Sequence, residues 1–202
     1  MIDGVDGIAG SVSLVAVVSM IIIAMGQGDI LTSKLLGIIG IVLFAFLLFN
    51  WSFSGSQRAR VFMGDSGSMF LGFVLSWYFI TLSQGEDRAM SPVIALWLYA
   101  VPLNDTLTMM IRRIRKGRSP FSADREHFHH LLQMAGYSKR DTTLFMLCYA
   151  IIAATIGLLG WHLGIPEHIM FYLFLTVFAA HFAIIRRAWK VMRFLKRRIA
   201  VL

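Results

Sequence analysis

An all-α, polytopic membrane helix bundle with about six transmembrane helices and a single polar cytoplasmic face is the fold class this sequence predicts. Three observations predict it. The 202 residues are 57% hydrophobic and only 15% charged, with a mean hydropathy of +0.71, too apolar for a soluble domain of this size. Long stretches without a charge recur along the chain, each able to cross roughly 30 Å of hydrocarbon as a helix. The basic residues are distributed unevenly between alternate connections, as insertion requires. The whole chain, 1–202, reads as one integral-membrane domain with no internal repeat and no low-complexity tract.

The spans follow in order. Segments free of Asp, Glu, Lys and Arg run from Gly7 to Gly28, Leu35 to Gln57, Ser66 to Gly85, Thr142 to Pro166 and His168 to Ile185. A further span, Ala89 to Ile111, is interrupted only by Asp105. A carboxylate at that depth costs roughly 2.5–3.5 kcal/mol on insertion scales, so Asp105 is expected to face the bundle interior or a wet cavity. Arg112, about two turns further on, is a candidate ion-pair partner, and a structural pair is weighed equally with a catalytic role. With the N-terminus cytoplasmic, all of the 19 basic residues except Lys34 and Arg88 lie on the inner side. That asymmetry sets both termini inside, and the net charge of +8 reports topology rather than nucleic-acid binding. Nothing basic precedes the first span, so no cleavable signal peptide is visible. Cys148 is the only cysteine and is expected to be a small packing residue within its span. Residues 186–198 form an amphipathic cytoplasmic tail helix, with Arg186, Lys190, Arg193 and Arg197 on one stripe, suited to an anionic lipid surface.

Six antiparallel spans bring the first residues, the loop from Asn50 to Asp65 and the loop from Arg112 to Asp141 to the same face. Each carries a polar motif. Asp3 and Asp6, in Met1-Ile2-Asp3-Gly4-Val5-Asp6-Gly7, place two carboxylates one helical turn apart, able to share a cation or a hydroxyl; an Asp-Gly turn capping the next helix is the competing reading. Asp65, in Gly64-Asp65-Ser66-Gly67-Ser68, sets an oxygen ligand for Mg²⁺ beside helix-start amides suited to phosphate, while Asp65 or Ser66 is also expected to cap that helix. The third loop changes from basic to mixed at Ser119-Pro120-Phe121-Ser122-Ala123-Asp124-Arg125-Glu126-His127-Phe128-His129-His130. Clustered histidines beside acids suit zinc or a solvated loop. On a helix, however, His129 and His130 point apart while His127 and His130 face one way. Arg125 with the imidazoles also suits a diphosphate, which chemistry favours over zinc. His162, His168 and His181 read as packing or interfacial residues.

These three motifs, in this order, resemble the polyprenyl-phosphate N-acetylhexosamine-1-phosphate transferases (glycosyltransferase family 4). Ile2 to Ala9 is similar to the family's Asp-Gly-x-Asp-Gly-Leu-Ala segment, Phe62 to Ser68 to Phe-Met-Gly-Asp-x-Gly-Ser, and Ser119 to His130 to Ser-Pro-Phe-Ser-x-Asp-Arg-x-His-x-His-His. The Arg-rich run from Arg112 to Gly117 matches as well, so the resemblance covers essentially the whole chain. His127-Phe128-His129-His130 points to the N-acetylglucosamine branch, because the muramoyl-pentapeptide branch has three consecutive histidines. The resemblance implies a bacterial inner-membrane enzyme that transfers N-acetylglucosamine 1-phosphate from UDP-N-acetylglucosamine to undecaprenyl phosphate with Mg²⁺ or Mn²⁺, in O-antigen, enterobacterial common antigen or related envelope polysaccharide synthesis. It implies Asp65 as the metal ligand, Asp3 and Asp6 as further catalytic residues lining the nucleotide and metal site, and Arg125, His127, His129 and His130 as phosphate or sugar-nucleotide ligands. Asn50 matches a family asparagine only with a longer spacing and is left outside this set.

The family pattern also includes further spans and an Asp-Asp loop ahead of the first motif. The chain is therefore expected to be the C-terminal half of such an enzyme, with Met1 an internal methionine or the start of a shortened frame. Two other readings stay open at this point: an inactive membrane fragment, and an ion or solute transporter using Asp105 and the histidine cluster. Homo-oligomerisation is undetermined by sequence.

Overall fold

The computed structural model describes residues 7–51, 59–121 and 127–199, with side chains described up to residue 188. Its elements are α1 (Ile8–Gly26), α2 (Ile30–Asn50), α3 (Gly64–Ser83), α4 (Pro92–Leu98), α5 (Ala100–Arg115), α6 (Phe128–Met134), α7 (Lys139–His162) and α8 (Glu167–Ile199). The described residues contain no strand. Helix α2 starts where Asp29 accepts the Thr32 N–H at 3.0 Å. Helix α7 starts where the Ser138 hydroxyl accepts the Asp141 N–H at 3.1 Å and donates to its carboxylate at 2.6 Å, satisfying amides that have no partner within the helix. At the start of α1 the cap is Gly7 itself, at φ +86, with no side-chain cap bond. A Cβ there would also lie 3.2 Å from the Trp51 ring, so both backbone and space require glycine.

Helices α1, α2, α3, α7 and the first part of α8 are each long and apolar enough to cross a membrane, which makes the chain a multi-pass membrane protein. The expected span from Ala89 to Ile111 is corrected: it is a broken pair, α4 and α5, bent by 89°. Pro102 explains the break. It has no N–H to give the Leu98 carbonyl, and its ring crowds that carbonyl, so Tyr99 leaves helical geometry at φ −122, ψ 29. Antiparallel connections then put the starts of α1, α3 and α7 and the ends of α2, α5 and α8 on one face. The other face holds only short turns, pinned by the Trp161 indole N–H donating to the Ala89 carbonyl at 2.9 Å and by the half-exposed Arg88–Glu167 pair at 3.8 Å.

The core sits where α1, α4, α7 and α8 meet. Trp97 on α4 is fully buried, packs edge-on against Phe174 with ring centroids 5.5 Å apart, and donates its indole N–H to the Met170 carbonyl at 3.2 Å. Helix α7 receives α4 because its inner stripe is small: Ala150, Ala153, Ala154, Gly157 and Gly160 are all buried. In lipid, where no hydrophobic force separates helix from solvent, such close backbone approach is what makes dispersion attraction effective. Cys148 is corrected from packing residue to exposed residue, because it falls off that stripe. The outward faces of α2 and α3 present Ile38, Ile41, Phe44, Phe70, Phe73 and Trp77, an apolar surface fit for lipid. Helix α8 continues without a break from its apolar span through the basic segment to Ile199.

At Gly157 an added Cβ would stand 2.7 Å from the Trp97 Cβ, an atom that moves only with its backbone. Gly157→Val is expected to cost about 1–3 kcal/mol by forcing α4 off α7. Thermal unfolding in detergent checks this, with Gly72→Val as the control, since nothing lies within 4 Å of Gly72.

Candidate functional site

Asp65 lies in the first turn of α3, one residue after Gly64, whose φ of +67 turns the chain into the helix. The expectation that Asp65 or Ser66 caps the helix is corrected: Met63 occupies the cap position and no side chain bonds there. The nearby hydroxyl of Ser68 turns back to the Gly64 and Asp65 carbonyls, each at 3.0 Å. The Asp65 side chain is exposed, and its carboxylate takes no hydrogen bond or ion pair among the described residues. A free carboxylate held beside helix-start amides is a ready oxygen ligand for a hard cation.

The histidine segment is held at two points by α5. Arg113, buried near the C-terminal end of α5, donates to the Pro120 carbonyl at 2.6 Å. Asp105, only 4% exposed, takes the segment's other end: one oxygen accepts the Phe128 N–H at 2.9 Å and the other lies 2.9 Å from His127 Nδ1. Asp105 faces the interior as expected, but its partners are His127 and Phe128 rather than Arg112. His127 is extended (φ −61, ψ 157) and α6 begins only at Phe128, which corrects the expected pairing of His127 with His130. Instead the His127 and His129 rings stack, 5.7 Å apart and 3° from parallel, and the His130 ring lies 4.2 Å from His129. His129 is 1% exposed with neither ring nitrogen bonded among the described residues, and burial, reinforced by the neighbouring His130, lowers its pKa from 6.5 to about 4. Behind these rings Phe128 packs edge-on against His181, which lies alongside Tyr149, and the Tyr149 hydroxyl accepts from Asn104 at 2.9 Å.

The three motifs are tied together from beneath. Ile8 and Val12 of α1 share one apolar cluster with Phe128, Leu131 and Leu132 of α6 and with Ile185 of α8, so the first motif's helix and the histidine helix contribute to the same core. Asn50, at the end of α2, accepts the Gly7 N–H at 2.7 Å and donates to the Val61 carbonyl at 2.6 Å. It thereby joins the residue after Asp6 to the strand of chain that leads into Asp65. An apolar crevice of about 800 Å³ between α2 and α3, lined by Ile38, Val42, Phe70 and Trp77 among others, ends at Phe62, Met63 and Gly67 beside the Asp65 turn. Asp3, Asp6 and Arg125 lie outside the described residues. Among the described residues no group of three His, Cys, Asp or Glu side chains could hold a metal.

Two residues left outside the sequence-derived set do much of the positioning. Asp105 carried a signal, the cost of a carboxylate within a span, but only the bend at Tyr99 reveals the partner. Asn50 carried little, because a bond over 43 residues has no local pattern.

Comparison with known proteins bears on these residues. Residues 1–83 match the family model described as glycosyl transferase family 4. The chain is similar to the undecaprenyl-phosphate α-N-acetylglucosaminyl 1-phosphate transferase of Yersinia pestis, 39% identical over 198 residues, covering 98% of this chain and 54% of that protein. It is likewise similar to the proteins of the same description in Escherichia coli K12, at 41% over 200 residues with 98% and 54% covered, and in Pasteurella multocida, at 41% over 157 residues with 78% and 44% covered. The chain therefore spans about half the length of the curated relatives it matches. No solved structure matches it.

Asn50→Ala strips partners from a buried N–H and a carbonyl, each roughly 1–3 kcal/mol, and is expected to lower the melting temperature in detergent more than Asn50→Asp, which keeps the acceptor for Gly7. His129 predicts a pH dependence. Between about pH 6.5 and 4 the unfolded chain takes up a proton that the folded chain refuses, so stability is full above that window and falls with the pH through it. Melting curves from neutrality down to about pH 5 should show a shallower decline in His129→Gln than in the parent protein.

Proposed function

Since the chain belongs to glycosyl transferase family 4, we propose that it works as a sugar-phosphate transferase, moving N-acetylglucosamine 1-phosphate from UDP-N-acetylglucosamine to undecaprenyl phosphate at the cytoplasmic face of the bacterial inner membrane. The product would be the lipid-linked sugar that begins O-antigen, enterobacterial common antigen or a related envelope polysaccharide. The observation that carries this reading is the joining of the three polar motifs from beneath: Asn50 bonds both Gly7 and Val61, and Ile8 and Phe128 belong to one apolar cluster. Such a face suits a reaction in which one phosphate attacks another. An oxygen of the lipid phosphate forms a bond to the β-phosphorus of the nucleotide sugar while the bond from that phosphorus to the bridging oxygen breaks, and UMP leaves with the electron pair.

Anion meets anion in that step, so charge neutralisation matters more than a strong base. Arg125, His127, His129 and His130 are the ligands assigned to the phosphates or the sugar nucleotide. Asp65 fits a hard divalent cation, Mg²⁺ or Mn²⁺, because its carboxylate is exposed and unengaged among the described residues. Asp3 and Asp6 are assigned to the same acidic wall. A bound cation would offset phosphate charge there. The apolar crevice ending beside Asp65 offers the isoprenoid chain a path that leaves its phosphate at the polar face. The transporter reading gains no support, since Asp105 is bonded to His127 and Phe128 rather than left free along a passage.

Membranes containing the protein are expected to convert radiolabelled UDP-N-acetylglucosamine and undecaprenyl phosphate to a lipid-extractable product. Asp65→Asn should lower that conversion on the order of 10²–10³-fold, comparable to losing one charge-stabilising group. Undiminished conversion by Asp65→Asn would remove the metal assignment.

A further inference from the structure

His127 enters the proposed reaction as a sugar-nucleotide ligand, but its ring has two nitrogens with different chemistry, and the fold decides which one a ligand meets. Asp105 reaches the ring because α5 turns away from α4 at Tyr99 and carries the carboxylate to the start of α6. Both side chains are nearly excluded from solvent, at 6% and 7% exposure, and both carboxylate oxygens are used: one by the Phe128 N–H, the other by His127 Nδ1, each at 2.9 Å. A carboxylate only accepts, so the proton of that contact sits on Nδ1 whether the ring is neutral or charged. The nitrogen left for a ligand is Nε2. The parallel His129 ring stacked on it, with neither nitrogen bonded, packs against the imidazole without competing for Asp105.

We propose that Asp105 is a positioning residue that pins His127 in the Nδ1–H form and so presents the Nε2 lone pair, as an acceptor, to a hydroxyl or amide N–H of the nucleotide sugar. The carboxylate fixes the ring in the manner of one that orients a catalytic histidine. The identity of the ligand rests on the transferase reading above. The form of the ring does not.

The test exploits that separation. In the full chain in detergent, labelled with ¹⁵N-histidine, long-range proton–nitrogen spectra distinguish a protonated Nδ1 from a protonated Nε2, and His127→Gln identifies the His127 signal. The parent protein should show Nδ1 protonated. In Asp105→Asn the side-chain oxygen still accepts the Phe128 N–H, leaving the amide NH₂ against His127, so the ring should switch to the Nε2–H form. A parent ring already in the Nε2–H form, or one unchanged by Asp105→Asn, overturns the inference, and the first of these needs no variant to fold. For transfer to undecaprenyl phosphate, Asp105→Asn and His127→Gln should each lose on the order of 10²-fold, and the double variant should lose no more than His127→Gln alone. Additive losses would mean that Asp105 acts otherwise than through His127. A correct ring form with no transfer by any protein, parent included, would instead count against the transferase reading and leave the positioning role standing.

Discussion

The Asp105 carboxylate is the constraint on which the polar face depends. A charge carried into a helix bundle must be met by hydrogen bonds or it is not tolerated there, and this one is met entirely by the histidine segment. His127 and the Phe128 N–H therefore close onto α5, and Arg113 grips Pro120 just after the end of that helix. The bend at Tyr99, made by Pro102, is the precondition. The helix break thus serves the site as much as the fold.

The rest of the bundle supports that arrangement by close packing rather than by charge. Trp97 fills the space that the small stripe of α7 leaves, and its indole N–H reaches the Met170 carbonyl on α8. Phe128, Leu131 and Leu132 then join Ile8, Met146 and Ile185 in one cluster, so the histidine helix is seated on α7 and α8 and shares its core with α1. Asn50 completes the platform by holding the entry to α1 against the approach to α3. The candidate side chains on α5 and α6 are consequently mounted on a packed layer, while Asp65 projects from a helix start with its carboxylate unengaged among the described residues. That division suits the proposed chemistry between two phosphates.

Much of this was legible before folding. Apolar stretches of sufficient length announce spans because an unpaired peptide group is so costly in hydrocarbon that only helices or closed sheets survive there, and the count of about six holds if α4 and α5 are taken as one crossing. The three motifs were visible as residue types in short runs, and alternation of loops placed them on one side. What did not read through was every feature set by a contact distant in sequence. The segment from Ala89 to Ile111 reads as one span by its apolar length, and the bend at Tyr99 does not show in that pattern because a proline such as Pro102 is tolerated within transmembrane helices. The facing of the histidines was derived from helical spacing, which failed because His127 lies outside the helix. Cys148 was assigned to the interior by composition, and the stripe of α7 turned it outward.

The sequence by itself determined that this chain is a multi-pass helical protein with its acidic and histidine motifs gathered on one face, because transfer energies and loop alternation act residue by residue and need no partner. Only the tertiary structure decided how those residues are held: that Asp105 belongs to His127, that Asn50 spans two motifs, and that the Asp65 carboxylate has no partner among the described residues. Hydrogen-bond pairing of buried polar groups depends on which segments happen to meet, and no local pattern encodes a meeting between residues 22 or 43 positions apart.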